Sequence, residues 1–217
     1  MRCKAVVFDM DGTLLDTLED LAEAMNRVLE RQGLPTHPVE AYRRFVGSGA
    51  GQLVARALPA GAQEGSIMRR SLEAFLSEYG TNWKTKTRLY KGISDLLDAL
   101  CSRNLALAVL TNKPQAFAEL CVNEFLSRWP FALTLGQQPG VPVKPDPAAP
   151  RQLLRHLGVL PEEVLYLGDT DVDMFTAVNA GMYPIGVLWG FRAEEELCKA
   201  GAREIIAHPM ELMRMLG

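Results

Sequence analysis

No run of apolar residues in this chain approaches the roughly 18 that a membrane helix needs, so no membrane partner is expected. No block rich in Lys and Arg occurs either. The 23 basic and 26 acidic side chains leave a formal charge of −3, and nothing in their arrangement suggests nucleic acid as a partner. There is no CxxC pair: Cys3, Cys101, Cys121 and Cys198 are scattered. The opening Met1-Arg2-Cys3-Lys4 leads into too short an apolar stretch for a secretory signal, so free thiols and a cytoplasmic location are expected. His37, His156 and His208 lack metal-ligand spacing, and internal repeats and low-complexity segments are missing. The 217 residues suffice for one sizeable domain, or for a core with a small insertion.

What is present begins with Phe8-Asp9-Met10-Asp11-Gly12-Thr13, directly after Ala5-Val6-Val7-Phe8. The four uncharged residues read as a short buried strand. Asp9 and Asp11 then lie at the strand end, where open α/β sheets place their ligands. Gly12 supplies the break that lets both side chains project together. Two carboxylates with no Lys or Arg among their immediate neighbours repel each other, and a divalent cation relieves that repulsion.

Apolar residues at helical spacing follow from Leu18 to Leu29, with Asp16 and Thr17 as candidate caps and Gly33 and Pro35 as stops. Val46-Gly47-Ser48-Gly49-Ala50-Gly51 is too glycine-rich to be helical, whereas 52–58 reads as helix. A stripe of Ile67, Met68, Leu72, Phe75, Leu76 and Tyr79 predicts another helix, closed by Gly80. From about 16 to 83 no strand is expected. Beyond it, strands at 105–110, 131–135, 164–167, 185–188 and 204–207 alternate with helices at 93–101, 114–126, 147–157 and 171–180. A last helix at 210–216 turns its methionines to the core. Alternation of this kind predicts an α/β fold, a Rossmann-like, doubly wound parallel sheet covered on both faces. Residues 1–15 and 84–217 form the expected core, and 16–83 a small inserted α-helical cap domain. Hinges are expected near 14–17 and 82–90.

Three strand ends carry polar residues. The first ends in Asp9 and Asp11, the second in Thr111-Asn112-Lys113-Pro114, and the third in Gly168-Asp169-Thr170-Asp171-Val172-Asp173. In a parallel sheet these ends share one edge. Lys144 stands in a proline-framed turn, Lys144-Pro145-Asp146-Pro147. Carboxylates suit a hard cation, while a hydroxyl, an amide and an ammonium suit phosphate oxygens. A carboxylate can attack phosphorus, and a second one can serve in turn as acid and base.

These four segments, in this order, resemble the four motifs of the haloacid dehalogenase-like superfamily. The resemblance implies Asp9 as nucleophile and Asp11 as acid/base, with Thr111, Asn112 and Lys144 holding the phosphate. It implies Mg²⁺ held by Asp9, the backbone carbonyl of Asp11, and Asp169, with Asp173 acting directly or through water. It also implies that the helical insertion is a cap. Val46-Gly47-Ser48-Gly49-Ala50, Leu110-Thr111-Asn112-Lys113-Pro114 and Trp189-Gly190-Phe191 look most like the phosphoglycolate phosphatase branch. Gly47, Ser48, Gly49 and Arg56 are the candidate cap residues facing a substrate. Gln137-Gln138 departs from that pattern, standing where many relatives carry an acidic pair. The implied activity is Mg²⁺-dependent hydrolysis of a small phosphorylated metabolite, 2-phosphoglycolate first; a homodimer is compatible with the sequence. A phosphomutase of the β-phosphoglucomutase type, a pyrophosphatase, a nucleotide or sugar phosphatase, and a non-catalytic binding homologue are the alternatives.

Overall fold

A computed structural model describes residues 3–216; Met1 and Arg2 of the opening segment and Gly217 lie outside the described residues. In chain order, β1 (Ala5–Phe8) and β2 (Leu15–Asp16) precede α1 (Leu18–Arg31), α2 (Tyr42–Phe45), α3 (Ala50–Ala57) and α4 (Gly65–Asn82). Then come β3 (Arg88–Leu89), α5 (Ile93–Ser102), β4 (Ala106–Pro114), α6 (Gln115–Cys121), β5 (Phe131–Gln137) and α7 (Ala148–Leu157). Next are β6 (Val164–Gly168), α8 (Asp171–Ala180), β7 (Tyr183–Val187), α9 (Glu194–Lys199) and β8 (Glu204–Ile206), followed by a 3-10 helix, Pro209–Met215. It divides into two compact units. One holds the N-terminal stretch to Leu15 and everything from Leu89 onward; the other is Asp16–Arg88.

The first unit is built on a six-stranded sheet of order β5-β4-β1-β6-β7-β8. Its neighbouring strands pair in parallel. All four residues of β1 are buried, as a central strand covered on both faces requires. Val7, Ala108, Leu110 and Tyr166 join Leu153, Leu154 and Ala177 in one apolar cluster. Because β1 starts the chain yet sits between β4 and β6, the sheet reverses its winding there. Phe8 is level with Val109 on one side and Leu167 on the other. Asp9 therefore leaves the sheet beside Leu110 and Gly168.

In the helical unit, α1 and α4 are tied by Glu78, which accepts ion pairs from Arg27 at 3.0 Å and Arg31 at 2.7 Å. Buried Asp20 receives the backbone N–H groups of Lys86 and Thr87 and the Thr87 hydroxyl, fixing the returning chain.

Several expectations need correction. β4 runs through Pro114 rather than ending at 110, because β5 extends alongside it to pair Gln137 with Pro114. Ala50 and Gly51 belong to α3, and Gly80 lies inside α4. Thr17 precedes α1 without capping it through its side chain; its buried hydroxyl has no hydrogen-bond partner. The C-terminal segment is a 3-10 helix, Pro209–Met215, that buries Leu212 and leaves Met210 exposed. The short acidic helix α9, which buries only Leu197, was not foreseen. All four cysteines are free, as expected.

Candidate functional site

The polar centre lies wholly within the first unit, at the carboxyl ends of β1, β4 and β6. Asp9 continues β1 and donates its backbone N–H to Leu167 O. Asp169 follows β6, and Asp173 stands in the first turn of α8. One carboxylate oxygen from each of Asp9, Asp169 and Asp173 lies within 4.8 Å of the others, and all three residues are buried. Lys144 is buried among them. Its Nζ is 2.8 Å from Asp9 Oδ1 and 2.7 Å from Asp173 Oδ1. The same ammonium reaches Leu110 O and the Tyr166 hydroxyl, each at 3.0 Å.

Local sequence explains the close approach. Gly12 has φ +90°, and a Cβ there would fall 2.3 Å from Asp169 Oδ2. A Cβ at Gly190 would meet Asp169 Cβ at 2.2 Å, and one at Gly168 would meet Asp173 Cβ at 2.2 Å. These glycines are therefore a requirement of space: any side chain would drive a carboxylate out of the cluster. Asp169 is held by the Thr13 hydroxyl at 3.1 Å and the Phe191 N–H at 2.8 Å. Trp189 Nε1 donates to Thr13 O at 2.9 Å, so the 189–191 turn braces the first loop and Asp169 together. Thr170 and Asp173 form a reciprocal cap at the start of α8.

One ammonium among three buried carboxylates leaves the cluster short of positive charge. Burial, and then the neighbouring Asp173, push Asp9 up to about 7 despite Lys144. Burial, followed by Asp173 and Asp9, likewise holds Asp169 well above the usual carboxylate range. Burial works against the Lys144 cation, but Asp173 and Asp9 outweigh it and keep the lysine protonated. A hard cation with oxygen ligands would supply the missing charge, and a purely carboxylate donor set matches such an ion. The residues present thus fit a metal ion.

The candidates named from sequence are distributed as follows. Asp9, Asp169, Asp173 and Lys144 lie together. The Asp11 carboxylate stands outside that cluster and faces Lys113, whose Nζ is 2.8 Å from Oδ1 and 3.1 Å from Oδ2. Thr111 is buried; its Oγ accepts the Lys113 N–H, which leaves its own proton to donate. Asn112 binds the Lys144 backbone in both directions, accepting its N–H at 2.8 Å and donating to its carbonyl at 3.2 Å. Its amide thereby fixes the turn that delivers Lys144. Gly47, Ser48, Gly49 and Arg56 lie in the helical unit. There the Arg56 guanidinium donates to the carbonyls of Arg44 and Phe45 and to Ser48 Oγ, so it braces the glycine loop. Gln137 and Gln138 border a small recess beside Thr111, Asn112 and Lys144.

Three contributors were missed. Lys113 and Thr13 lie inside the sequence motifs, where nothing in the local pattern marks them as contributors. Tyr166 carried a usable signal, a hydroxyl in an otherwise apolar strand, where a buried phenol needs a partner.

The family model described as haloacid dehalogenase-like hydrolase matches residues 6–187. The chain belongs to that family. It is 33% identical over 192 residues to a phosphoglycolate phosphatase of Pseudomonas putida, covering 87% of this chain and 70% of the relative. It is 35% identical over 197 residues to a phosphoglycolate phosphatase of Rhodospirillum rubrum, covering 88% and 82%. Among solved structures, a candidate phosphoglycolate phosphatase from Lactobacillus delbrueckii subsp. bulgaricus superposes with a TM-score of 0.92 at 33% identity, covering 100% and 99% of the two chains. The four sequence motifs that resemble this hydrolase family all fall inside the matched residues. No helix among the described residues is long and apolar enough to cross a membrane.

Proposed function

We propose that the chain is a Mg²⁺-dependent phosphatase of small phosphomonoesters, with 2-phosphoglycolate as substrate. The observation that carries this reading is the buried Asp9–Asp169–Asp173 cluster with a single ammonium at the sheet's switch point. The names of its relatives in Pseudomonas putida and Rhodospirillum rubrum point to the substrate.

In the first step an Asp9 carboxylate oxygen attacks phosphorus. The bond to the substrate's ester oxygen breaks, and Asp11 gives that oxygen a proton. In the second step Asp11 takes a proton from water as the water oxygen attacks the aspartyl phosphate. Phosphate leaves and Asp9 is regenerated. Lys144 and the Thr111 hydroxyl stabilise charge on the transferring oxygens. Asp9, Asp169 and Asp173, with the Asp11 carbonyl, are the groups that would hold Mg²⁺. The ion supplies the positive charge that lets two anions approach. Asn112 serves by fixing the backbone of Lys144. The helical insertion is assigned the part of a cap that selects the substrate.

The test is phosphate release from a panel of small esters with and without Mg²⁺, using Asp9→Asn as control. A dominant kcat/KM for 2-phosphoglycolate and a silent control support both parts of the reading. Weak, even turnover of many esters removes the substrate assignment. No turnover with any divalent metal removes the enzymatic one.

A further inference from the structure

We infer that Lys113 is a positioning residue for Asp11: it fixes the rotation of the carboxylate that passes the proton to the leaving group. This rests on the phosphatase reading above. The observations are geometric. The Lys113 side chain is 2% exposed and that of Asp11 13%, so the pair sits at the edge of the buried centre and not on the open surface. The ammonium meets both carboxylate oxygens, at 2.8 and 3.1 Å. The ammonium is a point charge on a stem that burial holds in place, and it draws the ionised carboxylate to face it with both oxygens.

Placement follows from β4. The strand continues past Leu110 to Pro114, beyond the β1 pairing that ends at Val109, so it carries Lys113 past the carboxyl end of β1, where Asp11 follows. Its N–H is anchored on Thr111 Oγ at 3.2 Å. Asn112, between them, is turned to the Lys144 backbone. Three consecutive residues thus have separate tasks: Thr111 toward phosphate, Asn112 toward the Lys144 turn, and Lys113 toward Asp11. Asp11 needs such a restraint. It follows the end of β1 and precedes Gly12, whose φ of +90° bends the chain away. Removing an ammonium from water is costly, so a lysine at 2% exposure implies a partner worth that cost. Lys113 and Lys144 therefore divide the centre. One ammonium serves the metal and phosphate side, the other the proton-transfer side.

A proton donor matters most when the leaving oxygen is basic. Lys113→Met is compared with wild type on 2-phosphoglycolate, an alkyl ester, and on p-nitrophenyl phosphate, whose leaving group needs no proton. The expected result is a kcat/KM loss of about 10- to 100-fold on the alkyl ester and under about 3-fold on the aryl ester, less than the ~10²–10⁴ that a proton-transfer group itself contributes, because Asp11 remains in place. Equal losses on both mean a structural role and overturn the inference, as does no loss on either. If wild type does not hydrolyse the aryl ester, acetyl phosphate, whose leaving carboxylate likewise needs no proton, takes its place in the comparison. A fall in kcat at unchanged KM supports positioning, and a change confined to KM overturns it. If Lys113→Met does not fold, Lys113→Gln is read in the same way. An inactive wild type counts against the phosphatase reading instead, which separates the two failures.

Discussion

Replacing Lys144 by methionine probes the charge balance on which the centre depends. The side chain is 3% exposed, and its ammonium contacts Asp9, Asp173, Leu110 O and the Tyr166 hydroxyl. Methionine keeps much of the apolar stem but leaves three buried carboxylates without a cation. Removing one partner of a buried ion pair costs about 3–5 kcal/mol. In a chain of this size, with ~2–4 °C per kcal/mol, the melting temperature in EDTA at pH 8 should fall by roughly 6–20 °C. The sign of the pH dependence follows from Asp9, which is raised from 3.8 to about 7 in the folded protein. Between those values the unfolded chain has released the proton and the folded chain retains it. Stability contributed by this group is therefore greatest below the lower value and is lost as pH rises through the upper one. Lys144 pulls Asp9 downward, so its removal raises the folded value further. The deficit of the variant should then shrink at pH 5.5, and shrink again at pH 8 when Mg²⁺ is added. Calorimetry of both proteins at two pH values, with EDTA or Mg²⁺, makes the measurement. A variant melting within about 2 °C of wild type in EDTA at pH 8, or a deficit indifferent to pH, would refute the reasoning.

Two further outcomes follow from single positions. Gly190→Ala places a methyl 2.2 Å from Asp169 Cβ and 2.4 Å from Gly12 O, so Asp169 must move. A displacement near 1 Å costs about 100-fold in rate, and a kcat within 3-fold of wild type would show that the turn yields without disturbing the carboxylate. Thr17→Val removes a buried hydroxyl that lacks a partner. It should raise stability by about 1 kcal/mol, and a loss of that size in chemical denaturation would mean the hydroxyl does have a partner.

The parallel α/β architecture was legible because its signals are local. Uncharged runs such as Ala5–Phe8 and Val164–Leu167 are too short for helices and too apolar for surface strands, and the helices between them carry regular apolar spacing. Strand ends were less legible. β4 reaches Pro114 only because β5 lies beside it, and no periodicity within β4 records that pairing. Gly80 looked like a helix stop, yet it lies inside α4, whose buried face carries Phe75 and Tyr79.

The sequence by itself determined the types and order of the chemical groups: carboxylates after the first and third motif strands, a hydroxyl and amide after the second, and a lysine between prolines. Spacing along one chain brings these groups near the carboxyl ends of strands, because strand-forming runs are a local preference, while the exact end of a strand depends on its neighbour, as β4 shows. Only the tertiary structure decided which charge meets which. Asp9 and Asp11, two residues apart and read as a repelling pair, are turned to different ammonium groups, Lys144 and Lys113, that lie 135 and 102 residues away in the chain. Those pairings arise where β4 packs against β1 and the Lys144 turn is tied to Asn112. Electrostatic partners are chosen by proximity in space, and a pattern confined to neighbouring residues carries no record of it.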